Sequence, residues 1–284
     1  MKNTMKKPVA IPVEKLRPFD GHPFKVKDDD EMNTLIESIQ TQGILSPLIV
    51  RPIENTDEYE VISGHRRLHA AQKAGITEVP ALIYALDRDA AAIAVVDSNL
   101  HREHILPSEK AFAYKLKRDA MAHQGRTSPQ LGEKSLTVEK IGAETGDSKN
   151  QVLRYIRLTH LIPELLDLMD EGKIALMVGE ALSYLGDEEQ YAVLEQCEIN
   201  DCTPSYAQAV EMKKRYQDEN LTAENISEIL SREKANQRET IKIPTEKLRK
   251  YAPNADAKQL EDFIIKACEH YRKFLIRQRN RDER

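Results

Sequence analysis

The sequence predicts an α+β N-terminal domain, then an all-α domain, then a small C-terminal helical region. Three observations carry this. Short β-like runs alternate with helical periods only up to about residue 107. From Ser108 onward apolar residues recur at helical spacing almost throughout. A charged, polar stretch at 234–240 precedes a last long helix from Asp256 to about Arg279. The expected division is a flexible N-terminus at 1–10, an α+β domain at 11–107, a helical domain at 108–233, a linker at 234–240, and a C-terminal region with a basic tail at 241–284.

Each element has its own signal. Ile11-Pro12-Val13 starts extended, because proline pushes its predecessor toward β. Met32, Leu35, Ile36 and Ile39 mark an amphipathic helix over Asp30–Gln42, stopped by Gly43. Leu48-Ile49-Val50 is a short buried strand. Asn55-Thr56-Asp57 makes a turn, and Tyr59 to Ile62 is the return strand. Ser63-Gly64 breaks that strand, and a helix from Arg66 to Ala74 ends at Gly75. Ala81 to Tyr84 is another strand, and Asp87 caps a helix through about Asn99. Ser108 caps a helix to about Gln124, and Gly125 to Ser135 is a loop. Helices follow near 138–144, 148–158, 163–171, 174–185, 188–197, 205–219 and 222–233, and Ile241-Lys242-Ile243 is β-like.

Composition narrows the function classes. Lys+Arg is 42 and Asp+Glu is 47, a net charge of -5, which weighs against a nucleic-acid partner unless the cations cluster. They do cluster: residues 1–27 hold seven Lys or Arg against two acids, and Arg272 to Arg284 hold six against two. Three cysteines make no disulfide framework, and no nearby ligand pair completes a zinc site around Cys197 and Cys202, which fit small buried hydrophobes better. No apolar run spans a membrane and no signal peptide is seen, so the expected location is the cytoplasm.

Two segments carry candidate chemistry in the first domain. Strand, Gly64-His65-Arg66-Arg67, helix is an arrangement suited to phosphate. Glycine lets the backbone bend close to an anion, free helix N–H groups and the dipole favour negative charge, and two arginines add bidentate donors. Alone, the same segment fits a capped helix with a solvated cationic turn. Asp97-Ser98-Asn99-Leu100-His101-Arg102-Glu103 supplies an amide, a cation and carboxylates that could hold Mg²⁺ beside a phosphate. Alone, it fits a polar turn between helices.

The second domain holds a possible DNA reader. Thr137 caps a helix whose Val138 and Ile141 face inward, Gly146 allows a sharp turn, and Ser148 caps a second helix with Val152, Leu153 and Ile156 on its apolar side. In a helix-turn-helix, the leading residues of the second helix enter the major groove. Here these are Lys149, Asn150, Gln151 and Arg154, which suit base edges. An ordinary helical hairpin is the plainer alternative. Palindromic sites imply a dimer, and Leu260, Phe263, Ile264, Ala267, Tyr271 and Phe274 form a stripe on the last helix that needs a partner.

Taken together, Gly43 to Pro52, Tyr59 to Ala71, and Asn99 to Glu103 with Pro107-Ser108-Glu109-Lys110-Ala111 resemble the three boxes of ParB-type partition proteins, over roughly residues 8–185. The resemblance implies a domain that binds CTP with Mg²⁺ and closes as a clamp on a specific, palindromic double-stranded DNA site. Position by position, Ser46 and Pro47 line the cytidine side, and Gly64, His65, Arg66 and Arg67 take the phosphates. Asn99, Arg102 and Glu103 complete the phosphate and metal site, with Asn99 toward Mg²⁺. The family has Gln where Ser46 stands, Glu where His65 stands and an acid where Ser98 stands. That acid is expected to help hold the metal, so the resemblance implies nucleotide binding more directly than hydrolysis, and at most a weak CTPase. It further implies a homodimer, a nucleoid-associated location and a ParA-type ATPase partner met through residues 1–10. The C-terminal third looks more like versions from plasmids or integrative elements than like chromosomal ones. Two other functions stay open: a helix-turn-helix transcriptional regulator on the same scaffold, and a ParB-like nuclease, for which Glu60 is the acid nearest Gly64.

Overall fold

The structure is a computed structural model that describes residues 7–100, 102, 104–124, 133–232, 248–252 and 257–282. The chain divides into two compact units, Met1–Arg232 and Glu233–Arg284.

Five strands build one mixed sheet in the first unit: β1 (Val9–Pro12), β2 (Leu16–Pro18), β3 (Leu48–Pro52), β4 (Tyr59–Ser63) and β5 (Glu78–Ile83). Their order is β1-β5-β3-β4-β2. The β1/β5 and β3/β4 pairs are antiparallel, while β3/β5 and β2/β4 are parallel. Val9 and Ala10 pair with Ala81 and Pro80, so the sheet begins two residues inside the segment expected to be flexible. Strand β2 escapes prediction because three residues, the last of them Pro18, are too few to show alternation; pairing with β4 makes it a strand.

Side chains alternate across this sheet. Leu48, Val50, Val61, Val79 and Ala81 pack with Leu68 and Ala71 of α2 (His65–Lys73). On α2, Ala70 meets Met32 and Ile39 of α1 (Asp30–Gln42). Ile62 joins Ala91, Ala92 and Val95 of α3 (Arg88–Asp97) and Ala120 of α4 (Pro107–Gln124). The expected cap at Asp87 holds, accepting from the Ala90 N–H, and Asp29, not singled out in the sequence, caps α1 by accepting from the Met32 N–H. Ser108 does not cap α4. The helix starts at Pro107, whose missing N–H costs nothing in a first turn, and Glu109 reaches back to the Leu106 N–H at 3.1 Å. The Ser108 hydroxyl donates instead to Asp170, at 2.6 Å.

The rest of this unit is helical: α5 (Glu133–Thr145), α6 (Lys149–Leu158), α7 (Pro163–Asp170), α8 (Leu176–Leu182), α9 (Asp187–Ile199), α10 (Tyr206–Gln217) and α11 (Ala223–Ser231). Leu158, Leu165, Leu182, Val193, Met212 and Ile229 centre its core. Helix α5 begins before Thr137, so Thr137 is internal rather than a cap. Leu153 is 43% exposed, and the inner side of α6 is Val152 and Ile156, packed with Val138, Ile141 and Tyr114. Cys197 is buried as expected, Cys202 half-buried and Cys268 exposed; none of the three forms a disulfide. The second unit contains α12 (Ala257–Asp282), on which Phe263, Tyr271 and Phe274 are exposed. The linker at 234–240 and the β-like Ile241-Lys242-Ile243 lie outside the described residues. Among the described residues, no helix is long and apolar enough to cross a membrane.

Candidate anion site and its link to helices α5 and α6

Gly64 is the pivot of the first candidate site. It ends β4 and precedes α2 with φ 106°, in the left-handed region that side chains resist. A Cβ there would lie 3.1 Å from both Arg67 Nη2 and Leu48 Cγ, so both the backbone and the space require glycine. Having no side chain, Gly64 leaves α2 without a side-chain cap. The opening N–H groups of His65, Arg66 and Arg67 have no acceptor in the helix itself and sit at its positive end.

The three arginines of the expected site have different settings. The Arg67 guanidinium donates to the carbonyls of Ser46 and, at 3.0 Å, Pro47, which ties the loop before β3 to the start of α2. Burial holds its pKa below the usual guanidinium range. Arg66 reaches Glu31 at 3.2 Å and Asp29 at 3.4 Å. Arg102 lies over the Phe24 ring at 5.7 Å. Burial lowers its pKa, Glu109 opposes this, and Arg66 adds to it. The charges of Arg102 and Arg66 are therefore near enough to sense one another. The structure thus brings Ser46, Pro47, Gly64, Arg66, Arg67 and Arg102 into one neighbourhood. Glu103 lies outside the described residues.

Two histidines complete the neighbourhood. His65 Nε2 accepts from the Phe19 N–H at 3.3 Å, and His22 Nδ1 donates to the Phe24 carbonyl at 2.8 Å. The rings stack, with centroids 3.6 Å apart and planes at 33°. Burial, aided by His22 and Arg102, pushes the His65 pKa down to about 3, and burial also lowers His22. Both rings are neutral near pH 7. His22 was not among the expected residues. It stands 43 positions before His65 in a loop, where no periodicity marks it.

Asn99 is placed differently from expectation. It is 4% exposed, and its amide nitrogen donates to the Val95 carbonyl at 2.8 Å and to Ser98 Oγ at 3.1 Å. Ser98 Oγ in turn donates to Val95 at 3.0 Å. Asp97 points away, to Lys117. Among the described residues, no group of three or more His, Cys, Asp or Glu could hold a metal ion. One amide oxygen, Asn99 Oδ1, is a poor donor set for Mg²⁺, which favours carboxylates. The residues described here do not fit a protein-built Mg²⁺ site, whereas the uncapped helix start and its arginines fit an anionic ligand. Glu60 is 5% exposed and bonded to Arg51 at 2.6 Å and to the Asp20 N–H at 3.0 Å, so its carboxylate is committed to partners within the fold.

Helix α4 joins this site to α5 and α6. Lys110, Tyr114 and Lys117 lie at i, i+4 and i+7 on one face. Lys110 pairs with Asp147 at 2.7 Å, and the Tyr114 hydroxyl donates to Asp147 at 2.5 Å. Burial pushes the Tyr114 phenol up, and Asp147 adds to this. Lys117, 2% exposed, is bonded to both Asp97 of α3 and Glu144 of α5. Asp147 lies in the turn between α5 and α6. There Gly146 has φ 77°, and a Cβ on Gly142 would meet the Asp147 carbonyl at 2.5 Å. Ser148 caps α6 as expected, accepting from the Gln151 N–H at 3.2 Å. On α6, Asn150 is exposed, Lys149 pairs with Glu139 at 3.0 Å, and Arg154 pairs with Glu180 at 3.0 Å.

An α+β domain built on a mixed sheet, with a candidate anion site at the start of one helix, is tied by α4 to a two-helix turn, so one framework carries both surfaces. The family described as the ParB N-terminal domain matches residues 1–100. The chain belongs to the ParB-like family. It is 34% identical over 183 residues to the chromosome-partitioning protein Spo0J of Thermus thermophilus, covering 64% of this chain and about three fifths (62%) of the relative's length. Two solved structures of C-terminally truncated ParB from Caulobacter crescentus are also similar. One, complexed to the centromeric parS site, is 23% identical and covers 78% of this chain and 98% of that one, with TM-score 0.41. The other, complexed with CTP-gamma-S, is 27% identical and covers 66% and 97%, with TM-score 0.32.

Proposed function

We propose that the chain is a partition protein that binds a specific DNA site and is gated by a nucleotide. It would act as a clamp on a centromere-like site and support segregation of the plasmid, mobile element or chromosome that carries it. The observation that carries this reading is the α4 row, in which Lys117 bonds the end of α3 and the end of α5 at once. The relatives' names, as chromosome-partitioning proteins, point the same way.

In this reading CTP is the anionic ligand, and its bound triphosphate supplies the negative charge that the start of α2 lacks. The N–H groups of His65, Arg66 and Arg67 and the guanidinium groups of Arg66 and Arg102 hold the phosphates. Arg67 exchanges the Ser46 and Pro47 carbonyls for phosphate oxygens, which frees the loop before β3 to adapt to the cytidine. Asn99 holds the turn that presents Arg102, since its amide fixes the end of α3. Expected as a Mg²⁺ ligand, it offers that ion one oxygen, so neither a metal-dependent step nor CTP hydrolysis follows from these residues. Helices α5 and α6 act as the helix-turn-helix, with Lys149, Asn150, Gln151 and Arg154 toward base edges. The exposed aromatic row of α12 is the homodimer contact, and a ParA-type ATPase is met through the basic N-terminus. Labelled CTP binding to the wild type and to Arg67→Ala tests the site. Loss of binding in the variant is expected, and equal binding refutes the assignment. Mapping of bound DNA across the genome tests the partition role: one site with spreading around it is expected, whereas isolated promoter sites point to a transcriptional regulator.

A further inference from the structure

The stacked His22–His65 pair is unusual in how its four ring nitrogens are used. His65 Nε2 is committed to the Phe19 N–H, and His22 Nδ1 to the Phe24 carbonyl. His22 Nε2 is buried and has no hydrogen-bond partner, the one such side-chain atom among the described residues. With its proton on Nδ1, the neutral His22 ring carries a bare lone pair at Nε2. A buried acceptor left unmet is costly, so the position invites a proton.

Charge decides when that proton arrives. Arg102, from the segment after α3, acts on both rings, and Arg66 of α2 stands near Arg102. Acids stand further out. Glu109 of α4 faces Arg102, while Asp29 and Glu31 at the start of α1 hold Arg66. In the free protein, the net positive setting and burial keep both rings neutral. A polyanion placed against Arg66, Arg102 and the start of α2 reverses that field. Protonating His65 Nε2 would break its bond from Phe19; protonating His22 Nε2 breaks none. We propose that His22 is the proton acceptor of the anion site, so that a polyphosphate ligand binds together with one proton, taken from solvent onto His22 Nε2. This rests on the nucleotide reading above for the identity of the ligand, but not for the linkage itself.

The test uses the full chain. Calorimetric titration with CTP at pH 6.5 and 7.5, in two buffers of different ionisation enthalpy, reads proton uptake directly. His22→Gln keeps a donor near the Nε2 position without a titrating ring. The nucleotide's own phosphate titrates in this range, so the difference between the two proteins is the readout. Wild type should take up more protons than His22→Gln, by up to one. Its affinity should strengthen as pH falls, by up to tenfold per unit more than the variant's. Equal uptake in the two proteins overturns the proposal. A second measurement stands apart from both folding of the variant and the nucleotide reading: the His22 ring titration by NMR in wild type, with and without inorganic tripolyphosphate. An upward shift of the His22 midpoint with tripolyphosphate, combined with no CTP binding, keeps the linkage and refutes the nucleotide reading. An unmoved midpoint refutes the linkage even where CTP binds.

Discussion

Replacing Lys117 by methionine isolates the electrostatic part of the link between α3, α4 and α5. Methionine fills much of the space of the lysine stem, so the change is mainly loss of the ammonium. Lys117 is 2% exposed, while the side chains of Asp97 and Glu144 are 50% and 55% exposed. Burial alone would lower the lysine pKa, yet the hydrogen bonds it donates to Asp97 and Glu144 leave it raised, so the charged form is net favoured. Without the ammonium, two carboxylates that shared one donor repel, and the size of the effect can be gauged for unit charges at a separation of about 5 Å. Their repulsion is about 3 kcal/mol at an effective dielectric near 20 and about 1 kcal/mol in bulk water. Half-exposed groups fall between these limits, so Lys117→Met should lose about 1–3 kcal/mol. With a urea slope near 2 kcal/mol/M, the midpoint falls by roughly 0.5–1.5 M. Adding Glu144→Gln removes the repulsion and should recover most of the loss. A midpoint within 0.2 M of wild type for Lys117→Met, or no recovery in the double variant, would refute this account.

Other outcomes follow from the same geometry. Gly64→Ala forces a side chain into φ 106° and against Arg67 and Leu48, and should cost about 1–3 kcal/mol in thermal unfolding while also weakening CTP binding. Lys149→Ala and Arg154→Ala should each reduce discrimination between specific and random DNA by about 1–3 kcal/mol in competition binding, if base contacts are theirs; unchanged ratios in both would move the reader elsewhere. His65 has a folded pKa of about 3 against 6.5 when exposed, so the unfolded chain binds more protons between these values. Stability is therefore full above pH 6.5 and falls as pH drops toward 3, by at most about 1.4 kcal/mol per unit, and His65→Gln should flatten that slope in urea melts. Truncation before Asp256 should convert a dimer to a monomer in light scattering; a persisting dimer would place the contact outside α12.

Much of the fold was legible because periodicity and caps are local. The spacing of Met32, Leu35, Ile36 and Ile39 marks α1 without any knowledge of its partner, and Ser148 caps α6 where the sequence places it. What could not be read depends on contacts between distant segments. Ser108 has a capping residue's chemistry, but Asp170, 62 positions away, takes its hydroxyl and its N–H. Strand β2 exists because β4 offers an edge. In the candidate site, glycine and arginine types mark Gly64 to Arg67 as a place suited to an anion, while the partners of those arginines do not show. Nothing in a one-dimensional pattern says that Arg67 rests on the Ser46 and Pro47 carbonyls, that Asn99 bonds its own helix end, or that His22 stacks on His65.

The dual attachment of Lys117 sets a rule for anyone recombining this chain with its relatives. A crossover just before Pro107 parts Lys117 from Asp97, and one just after Gln124 parts it from Glu144 and strands Lys110 and Tyr114 without Asp147. Helix α4 is thus property of both halves, and no junction at its ends yields two interchangeable parts. A working hybrid has to import the matching acids along with the helix, Asp97 in the first case and Glu144 with Asp147 in the second. The acids at these three positions, more than overall similarity, should forecast which pairs of relatives exchange parts successfully.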